Sequence, residues 1–307
     1  MRALQDAEYW IALAHIPGWP VERIQTLITD ILDHRGMTLA EFFECTPRQW
    51  QQDFAMTARD VEDLTAARTR LPQCAALVRV LLKQGIELVP FLSPAYPQTL
   101  RSNLPPHSRP PLLYLKGDAR LLDELSTAIV GSPAASQVSQ HFATAVAANC
   151  IEQGQVVAAR DAKGLDRLVL DTTLQAGGKG LLILSQGILK GTSGLKRYAE
   201  EILAGNLLVL SCCAPKHPRE RASRLPQIRM LYGLVQDVYI PEIQAVGDLW
   251  TATEEILNQG RTVYVRSPSA KEKTANALLI QHGAIPVDQQ GTPVAAAESS
   301  SKNRWKN

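Results

Sequence analysis

The central stretch of the chain consists of apolar runs without alternation, separated by helical patterns. The runs are Ala128 to Val130, Val156 to Ala159 and Leu181 to Leu184, and helical patterns fill the intervals, from Val138 to Cys150 and from the break at Lys163-Gly164 to Ala176. A strand covered on both faces is apolar at every position, whereas a half-solvated strand alternates. The order β-α-β-α-β therefore predicts an α/β fold with a Rossmann-like, doubly wound, mostly parallel sheet.

The regions on either side have different patterns. Residues 1–80 have apolar positions at helical spacing and are predicted to form a small all-helical domain, similar to a SAM or helix-hairpin-helix domain. The turn from Ile16 to Pro20 resembles a phosphate-binding hairpin loop, but Pro20 removes a donor, which favours a domain that packs on the core. Residues 81–288 form the Rossmann-like domain, and residues 289–307 have the composition of a disordered tail.

Composition limits the classes of function. With 307 residues, 45% apolar content and a net charge of +2, the chain can bury a full core, and a nucleic-acid site would have to be a local basic patch. The five cysteines are odd in number and form no C-x-x-C, which indicates a reducing compartment rather than a disulfide framework. No stretch of eighteen apolar residues occurs, and we expect a cytoplasmic protein without membrane contact.

Small residues follow the first strand. Gly131, Ser132 and Ser136 lie where a doubly wound sheet places the N-terminus of a helix, and this position suits a phosphate. The turn lacks G-x-G-x-x-G, which disfavours a dinucleotide. The alternative is that Gly131 only ends the strand and that Ser132 or Ser136 caps the helix.

A basic segment follows a later strand. The loop from Lys216 to Arg224 is positive and is predicted to lie near other strand ends, where it can hold a phosphate backbone; the alternative is a solvated loop. The six histidines have no metal-ligand spacing, and no Ser-His-Asp, Cys-His or paired-carboxylate arrangement is evident. We therefore predict no metal, no cofactor and no enzymatic activity.

An ordered set of short motifs runs along the chain. No single motif is specific for a protein family, but the ordered set is. It resembles the DNA-processing protein A (DprA, or Smf) family over roughly residues 5 to 288. The motifs are Tyr96-Pro97-Gln98-Thr99-Leu100, Leu113 to Asp118, Ala128 to Ser132, Ala162 to Asp166, Leu174 to Gly178, and Gly247 to Ala252.

The resemblance implies a homodimer that binds single-stranded DNA and helps to load a RecA-type recombinase during DNA uptake and recombination. The chain departs from the family pattern at the strand ends. Pro133 replaces an arginine expected to meet a phosphate, Ala159-Arg160 replaces a Ser-Gly pair, and only Arg229 remains of the R-N-R motif. Arg160 either restores a missing charge or blocks the approach of the backbone to phosphate. The sequence therefore predicts weakened DNA binding.

The predicted DNA-binding residues are those that stand near strand ends or keep the family pattern. They are Gly131, Ser132, Ser136, Arg160, Lys163, Gly164, Asp166, Lys216, Arg219, Arg221, Arg224, Arg229 and Thr251. Two alternatives remain open. One is a diverged paralogue that acts as a scaffold without DNA binding, and the other is a Rossmann-like protein that binds a small nucleotide.

Overall fold

A nine-stranded sheet forms the centre of the protein in the computed structural model, which describes residues 6–190, 192–219 and 224–294. The strands are β1 (Ile86–Pro90), β2 (Leu112–Lys116), β3 (Ser126–Ile129), β4 (Val156–Arg160), β5 (Lys179–Ile183), β6 (Leu207–Ser211), β7 (Asp237–Ile240), β8 (Val263–Arg266) and β9 (Ile285–Val287). Their order is β1-β2-β6-β5-β4-β3-β7-β8-β9.

The order of the strands confirms the predicted doubly wound, mostly parallel sheet. From β3 the chain moves outward through β4 and β5 to β6, and then crosses to the other side of β3 and continues from β7 to β9. These seven strands pair in parallel, whereas β1 and β2 add an antiparallel edge beside β6. The reversal between β3 and β7 is the topological switch point, outside which such sheets bind ligands.

Both faces of the sheet are covered, which explains the apolar runs. In β6, Leu207 and Val209 belong to one core cluster, and Leu208 and Leu210 belong to the cluster on the opposite face. All four side chains are fully buried. Because successive residues of a strand point to opposite faces, two covered faces require an apolar residue at every position.

The region before the sheet is helical, as predicted. It contains α1 (Ala7–Ala14), α2 (Val21–Thr29) with a π-helical turn (Asp30–His34), α3 (Leu39–Glu44), α4 (Pro47–Asp53), α5 (Ala58–Thr69) and α6 (Leu71–Lys83). Capping boxes begin three of these helices, with Thr38 and Glu41 at α3, Thr46 and Gln49 at α4, and Thr57 and Asp60 at α5. Each box satisfies backbone donors that a short helix would otherwise leave unpaired.

These helices share a core with the sheet. One continuous cluster joins Trp10 and Leu81 from the helices to Ile86, Leu112 and Val209 from the strands. The predicted boundary at residue 80 falls inside α6. Trp19 in the hairpin-like turn is buried, and its indole Nε1 donates to Asp63 Oδ2 at 3.0 Å, so this turn packs against α5.

The remaining α-helices lie between the strands. They are α7 (Gln98–Asn103), α8 (Gln137–Glu152), α9 (Leu165–Gln175), α10 (Thr192–Leu195), α11 (Ala199–Ala204), α12 (Leu225–Leu234), α13 (Asp248–Asn258) and α14 (Asn276–Gln281). The sequence patterns did not predict α7. A Cβ at Gly233 of α12 would lie 2.8 Å from Leu100 Cδ2 of α7, so glycine permits this close packing. No helix in the described ranges is long and apolar enough to cross a membrane.

The beginning of the predicted disordered tail is structured. Residues 289–294 form a turn in which Asp288 N donates to Thr292 O at 2.9 Å, and Pro293 pairs with Val287. Asn149 Nδ2 on α8 donates to Gln290 O at 2.7 Å. These contacts satisfy backbone groups that composition alone would leave to solvent. The rest of the predicted tail, residues 295–307, lies outside the described residues.

A half-buried histidine where the helices meet the sheet makes stability depend on pH. His15 Nε2 hydrogen-bonds Tyr114 Oη at 2.9 Å, and burial, then the charges of His217 and Arg70, lower the pKa of His15 to about 4. The unfolded chain takes up this proton near pH 6.5, so the folded state binds fewer protons between these values. We expect this group alone to lower the free energy of unfolding by about 3 kcal/mol from pH 7 to pH 4.

Urea unfolding at several pH values, compared between the wild type and His15→Gln, measures this contribution. The variant should lack this part of the acid destabilisation, and His107→Gln at an exposed position controls for the substitution itself. Parallel curves for the wild type and His15→Gln would contradict the assignment.

Candidate nucleic-acid interface

The carboxyl ends of β3, β4 and β7 meet beside the switch point, and the predicted site residues of the first turn lie there. Gly131 is buried between two neighbouring elements, because a Cβ on it would lie 2.8 Å from Leu165 Cδ2 and 2.9 Å from Glu242 O. Ser132 N donates to Glu242 O at 2.9 Å. The turn after β3 is thus held against Glu242, the second residue after β7.

The N-terminus of α8, predicted to suit a phosphate, receives a carboxylate of the chain itself. Ser136 N and Ser139 Oγ donate to Glu242 Oε2 at 3.0 and 2.9 Å. Ser136 also caps the helix, since its Oγ accepts from Ser139 N at 3.3 Å. Burial opposes ionisation of Glu242, but the bonds from Ser136 and Ser139 and the charge of Arg266 lower its pKa. The ionised group complements the helix N-terminus as an external anion would.

Arg160 lies at the end of β4 in a buried ion pair. Its Nε and Nη2 donate to the Asp166 carboxylate at 2.7 and 2.6 Å, and Nη2 also donates to Gly131 O at 3.3 Å. The two side chains are 6% and 0% exposed. Burial acts to lower the pKa of Arg160, but the charge and hydrogen bonds of Asp166 outweigh it and raise the pKa. The pair ties β4 to α9.

The turn between β4 and α9 depends on Gly164. This residue has φ +79°, and a Cβ on it would overlap the Pro133 carbonyl oxygen. Both conditions require glycine. The neighbouring Lys163 is exposed and has no ion-pair partner within the described ranges. The two turns after β3 and β4 therefore touch, with Lys163 on the outer side.

A basic cavity of about 240 Å³ opens beside Arg160, outside the ends of β4 and β5; we call it the strand-end cavity. Its charged and amide lining residues are Arg160, Asp161, Arg167, Gln186, Lys190 and Arg219. Arg219 forms an ion pair with Asp161 and donates to the Asp161 backbone oxygen at 2.9 Å. The exposed Arg167 and Lys190 have no ion-pair partner in the described part of the chain. Four cations and one carboxylate thus line the cavity.

Other predicted residues lie away from this cavity. Arg229 on α12 donates to the Glu255 carboxylate on α13 through Nε at 2.8 Å and Nη2 at 2.5 Å. Its hydrogen bond raises the pKa of Arg229 and lowers that of Glu255. Thr251 Oγ1 donates to Gly247 O at 3.3 Å. These groups join or cap helices.

The residues of the basic loop lie in several different places. Lys216 lines a separate cavity near the helices, whereas Arg219 lines the strand-end cavity. Arg224 directly precedes α12, and its backbone N donates to the Asp248 carboxylate. Arg221 lies outside the described residues. The predicted cations therefore do not form a single patch.

Two basic residues of the strand-end cavity were absent from the predicted site. Arg167 follows Asp166 on α9 and has the sequence signature of an exposed helical residue. Lys190 lies in the Gly-rich segment after β5, between Gly187 and Gly194. Each lies seven residues after the end of a parallel strand, β4 or β5, and this shared position is the signal that could have identified them, because such ends converge in a parallel sheet.

The fold and this cavity define a Rossmann-like α/β protein with a basic site outside its strand ends. A sequence model of the family described as DNA recombination-mediator protein A matches residues 87–296, and the chain belongs to this family. The predicted resemblance to the DprA family is thereby confirmed.

Individual relatives agree with this assignment. The chain is 26% identical over 180 residues to DNA processing protein DprA of Streptococcus pneumoniae, covering 58% of this chain and 64% of that protein. It is 26% identical over 219 residues to DprA of Bacillus subtilis, covering 70% of this chain and 71% of that protein. The chain thus spans slightly less than two thirds of the pneumococcal relative.

Two solved structures share the fold. The X-ray structure of DprA from Streptococcus pneumoniae superposes with a TM-score of 0.72 at 21% identity, covering 92% of this chain and 94% of that one. A structure of DNA processing protein A from Helicobacter pylori, described by its single-stranded DNA binding mode, gives a TM-score of 0.54 at 21% identity, covering 66% of this chain and 90% of that one. At this identity the likeness shows the fold.

Proposed function

We propose that this protein binds single-stranded DNA at the strand-end cavity. The observation that carries the proposal is the unbalanced charge of the lining, where Arg167 and Lys190 stand without ion-pair partners in the described ranges. Arginine and lysine in this state can exchange counterions for phosphates, which supplies most of the affinity for a polyanion. No catalytic step is part of the proposal.

Membership in the family supports this choice of ligand. The Helicobacter pylori relative is described as binding single-stranded DNA. In our chain groups at the N-terminus of α8 donate hydrogen bonds to the Glu242 carboxylate, which disfavours a nucleotide phosphate at the switch point. A polyanion held beside β4 and β5 agrees better with the charges than a small nucleotide held beside β3.

The binding should be weak, because two of the predicted cations are engaged. Arg160 pairs with Asp166 and Arg229 pairs with Glu255, so neither replaces the phosphate contacts that are lost with the family's arginines and its Ser-Gly pair. Three lost contacts at the low end of about 1.5 kcal/mol each weaken binding about a thousandfold. We expect dissociation constants on the order of micromolar or weaker near physiological salt.

Fluorescence anisotropy with a labelled oligo-dT, scanned over salt concentration, tests the function. Affinity should fall as salt rises, with a slope of about −0.7 for each phosphate contact. A mononucleotide should compete poorly. Absence of binding at every salt concentration would favour the scaffold alternative, and nanomolar affinity would contradict the predicted weakening.

The proposal includes two protein partners that the family resemblance implies. One is a second copy of the chain, and the other is a RecA-type recombinase that is loaded onto the bound strand. Light scattering at micromolar concentration tests the first, since a homodimer has twice the 33.7 kDa mass of the chain. Recombinase assembly on oligo-dT, with and without the protein, tests the second.

A further inference from the structure

A second basic cavity lies where the helical region meets the sheet. It has a volume of about 280 Å³ and is bounded by α1, α6 and the loop after β6; we call it the junction cavity. Its polar lining consists of His15, Arg70, Gln73, Cys74, Lys216 and His217, and no carboxylate lines it within the part of the chain that the structure describes. Positive groups from the helical region and from the sheet thus face the same space.

The loop that carries Lys216 is fixed by backbone hydrogen bonds. Leu189 N donates to Pro215 O at 3.0 Å, and Gly187 N donates to His217 O at 2.9 Å. A Cβ on Gly187 would overlap the carbonyl oxygens of Ala214 and Pro215, so the two loops lie in close contact. Lys216 is therefore positioned by the same segment, residues 187–189, that leads to Lys190 in the strand-end cavity.

The two cavities lie on either side of one short loop. Lys216 lines the junction cavity, and Arg219, three residues later, lines the strand-end cavity. Even a fully extended chain places their Cα atoms no more than about 11 Å apart. One flexible polyanion can therefore contact both cavities by crossing this loop.

Two cationic side chains, Arg70 and Lys216, line the junction cavity. Arg70 and Lys216 have no ion-pair partner within the described residues, and the charge of Arg70 contributes to the lowered pKa of the half-buried His15. Clustered like charges in a concave surface raise the local concentration of anions. An anion bound in the cavity would compensate the charges of Arg70 and Lys216.

We propose that the junction cavity is a second phosphate subsite for the DNA strand that occupies the strand-end cavity, with Arg70 and Lys216 as its contacts. The inference rests on the proposed function and extends it, because it assigns a DNA contact to the helical region. The strand runs from the ends of β4 and β5 across residues 216–219 to the start of α6.

Oligonucleotides of two lengths distinguish binding at one subsite from binding at both. Anisotropy is measured with oligo-dT of about four and about sixteen nucleotides, lengths that bracket common single-strand site sizes. The double variant Arg70→Ala with Lys216→Ala should bind the long oligonucleotide at least about tenfold more weakly, with a salt slope shallower by about 1.4, since two contacts are removed. Its affinity for the short oligonucleotide should match that of the wild type.

Matched variants control for charge and folding. Arg79→Ala removes an exposed arginine from the same helix, outside the cavity, and should leave both affinities unchanged. Arg70→Lys keeps the charge and should retain most of the binding. An unchanged affinity of the double variant for the long oligonucleotide, or an equal loss for both lengths, overturns the second subsite alone. If the wild type binds neither oligonucleotide at low salt, the proposed function fails and this inference fails with it.

Discussion

Replacing Asp166 with alanine will lower the free energy of unfolding by about 3–5 kcal/mol. The guanidinium of Arg160 is 6% exposed, and Asp166 supplies its only carboxylate within the described ranges. Without Asp166 a buried charge remains with one hydrogen bond, to Gly131 O. Removing one partner of a buried pair costs far more than the pair contributes, because desolvation of the remaining charge is uncompensated.

Urea unfolding at neutral pH measures this loss, and two comparisons isolate its cause. Arg160→Met combined with Asp166→Leu removes both charges and should recover most of the lost stability. Glu255→Ala breaks the half-exposed pair with Arg229 and should cost only about 0–1 kcal/mol. Equal losses for Asp166→Ala and Glu255→Ala would show that burial of the pair does not control its energy.

Replacing Arg167 and Lys190 together with alanine will weaken binding of oligo-dT at least about a hundredfold. Each charge-assisted hydrogen bond to phosphate contributes about 1.5–3 kcal/mol, so two together contribute at least about 3 kcal/mol. Both side chains are exposed and without ion-pair partners in the described ranges, so the fold should not depend on them. The salt slope should become shallower by about 1.4.

Anisotropy titrations over a range of salt concentrations check this result, with thermal unfolding of each variant as a test of folding. Arg79→Ala, an exposed arginine outside the strand-end cavity, serves as the matched control. If the double variant binds as tightly as the wild type while both remain folded, the DNA lies on another surface. A loss that is equal at low and high salt would show that the contacts are not ionic.

The predicted strands agree with the structure to within about two residues, and their burial explains why. Strand β4 was predicted from Val156 to Ala159 and extends from Val156 to Arg160. Every residue in it is buried, so the apolar run follows the strand almost to its end. The segment between the edge strands β1 and β2 was harder to predict. Helix α7 has six residues and buries only Leu100, which leaves no repeated apolar pattern to detect.

The candidate site was less fully predictable than the strands. The positions of Gly131, Ser132 and Arg160 at strand ends could be predicted, because chain order and parallel pairing place strand ends together. The hydrogen-bond and ion-pair partners of the site residues could not be predicted. Glu242 reaches Ser136 across more than a hundred residues of sequence, and only the pairing of β7 beside β3 brings them into contact.

The class of fold, the strands whose ends form the site, and the family could all be predicted from the sequence. These features depend on periodicity and on ordered motifs, which are properties of the chain read locally. Which charges remain available could be read only from the folded protein, because ion pairing depends on distances of a few ångström between elements that are remote in sequence. Arg160 and Arg229 have carboxylates within hydrogen-bonding distance, whereas Arg167 and Lys190 face a cavity. The net charge of +2 is the same under either arrangement.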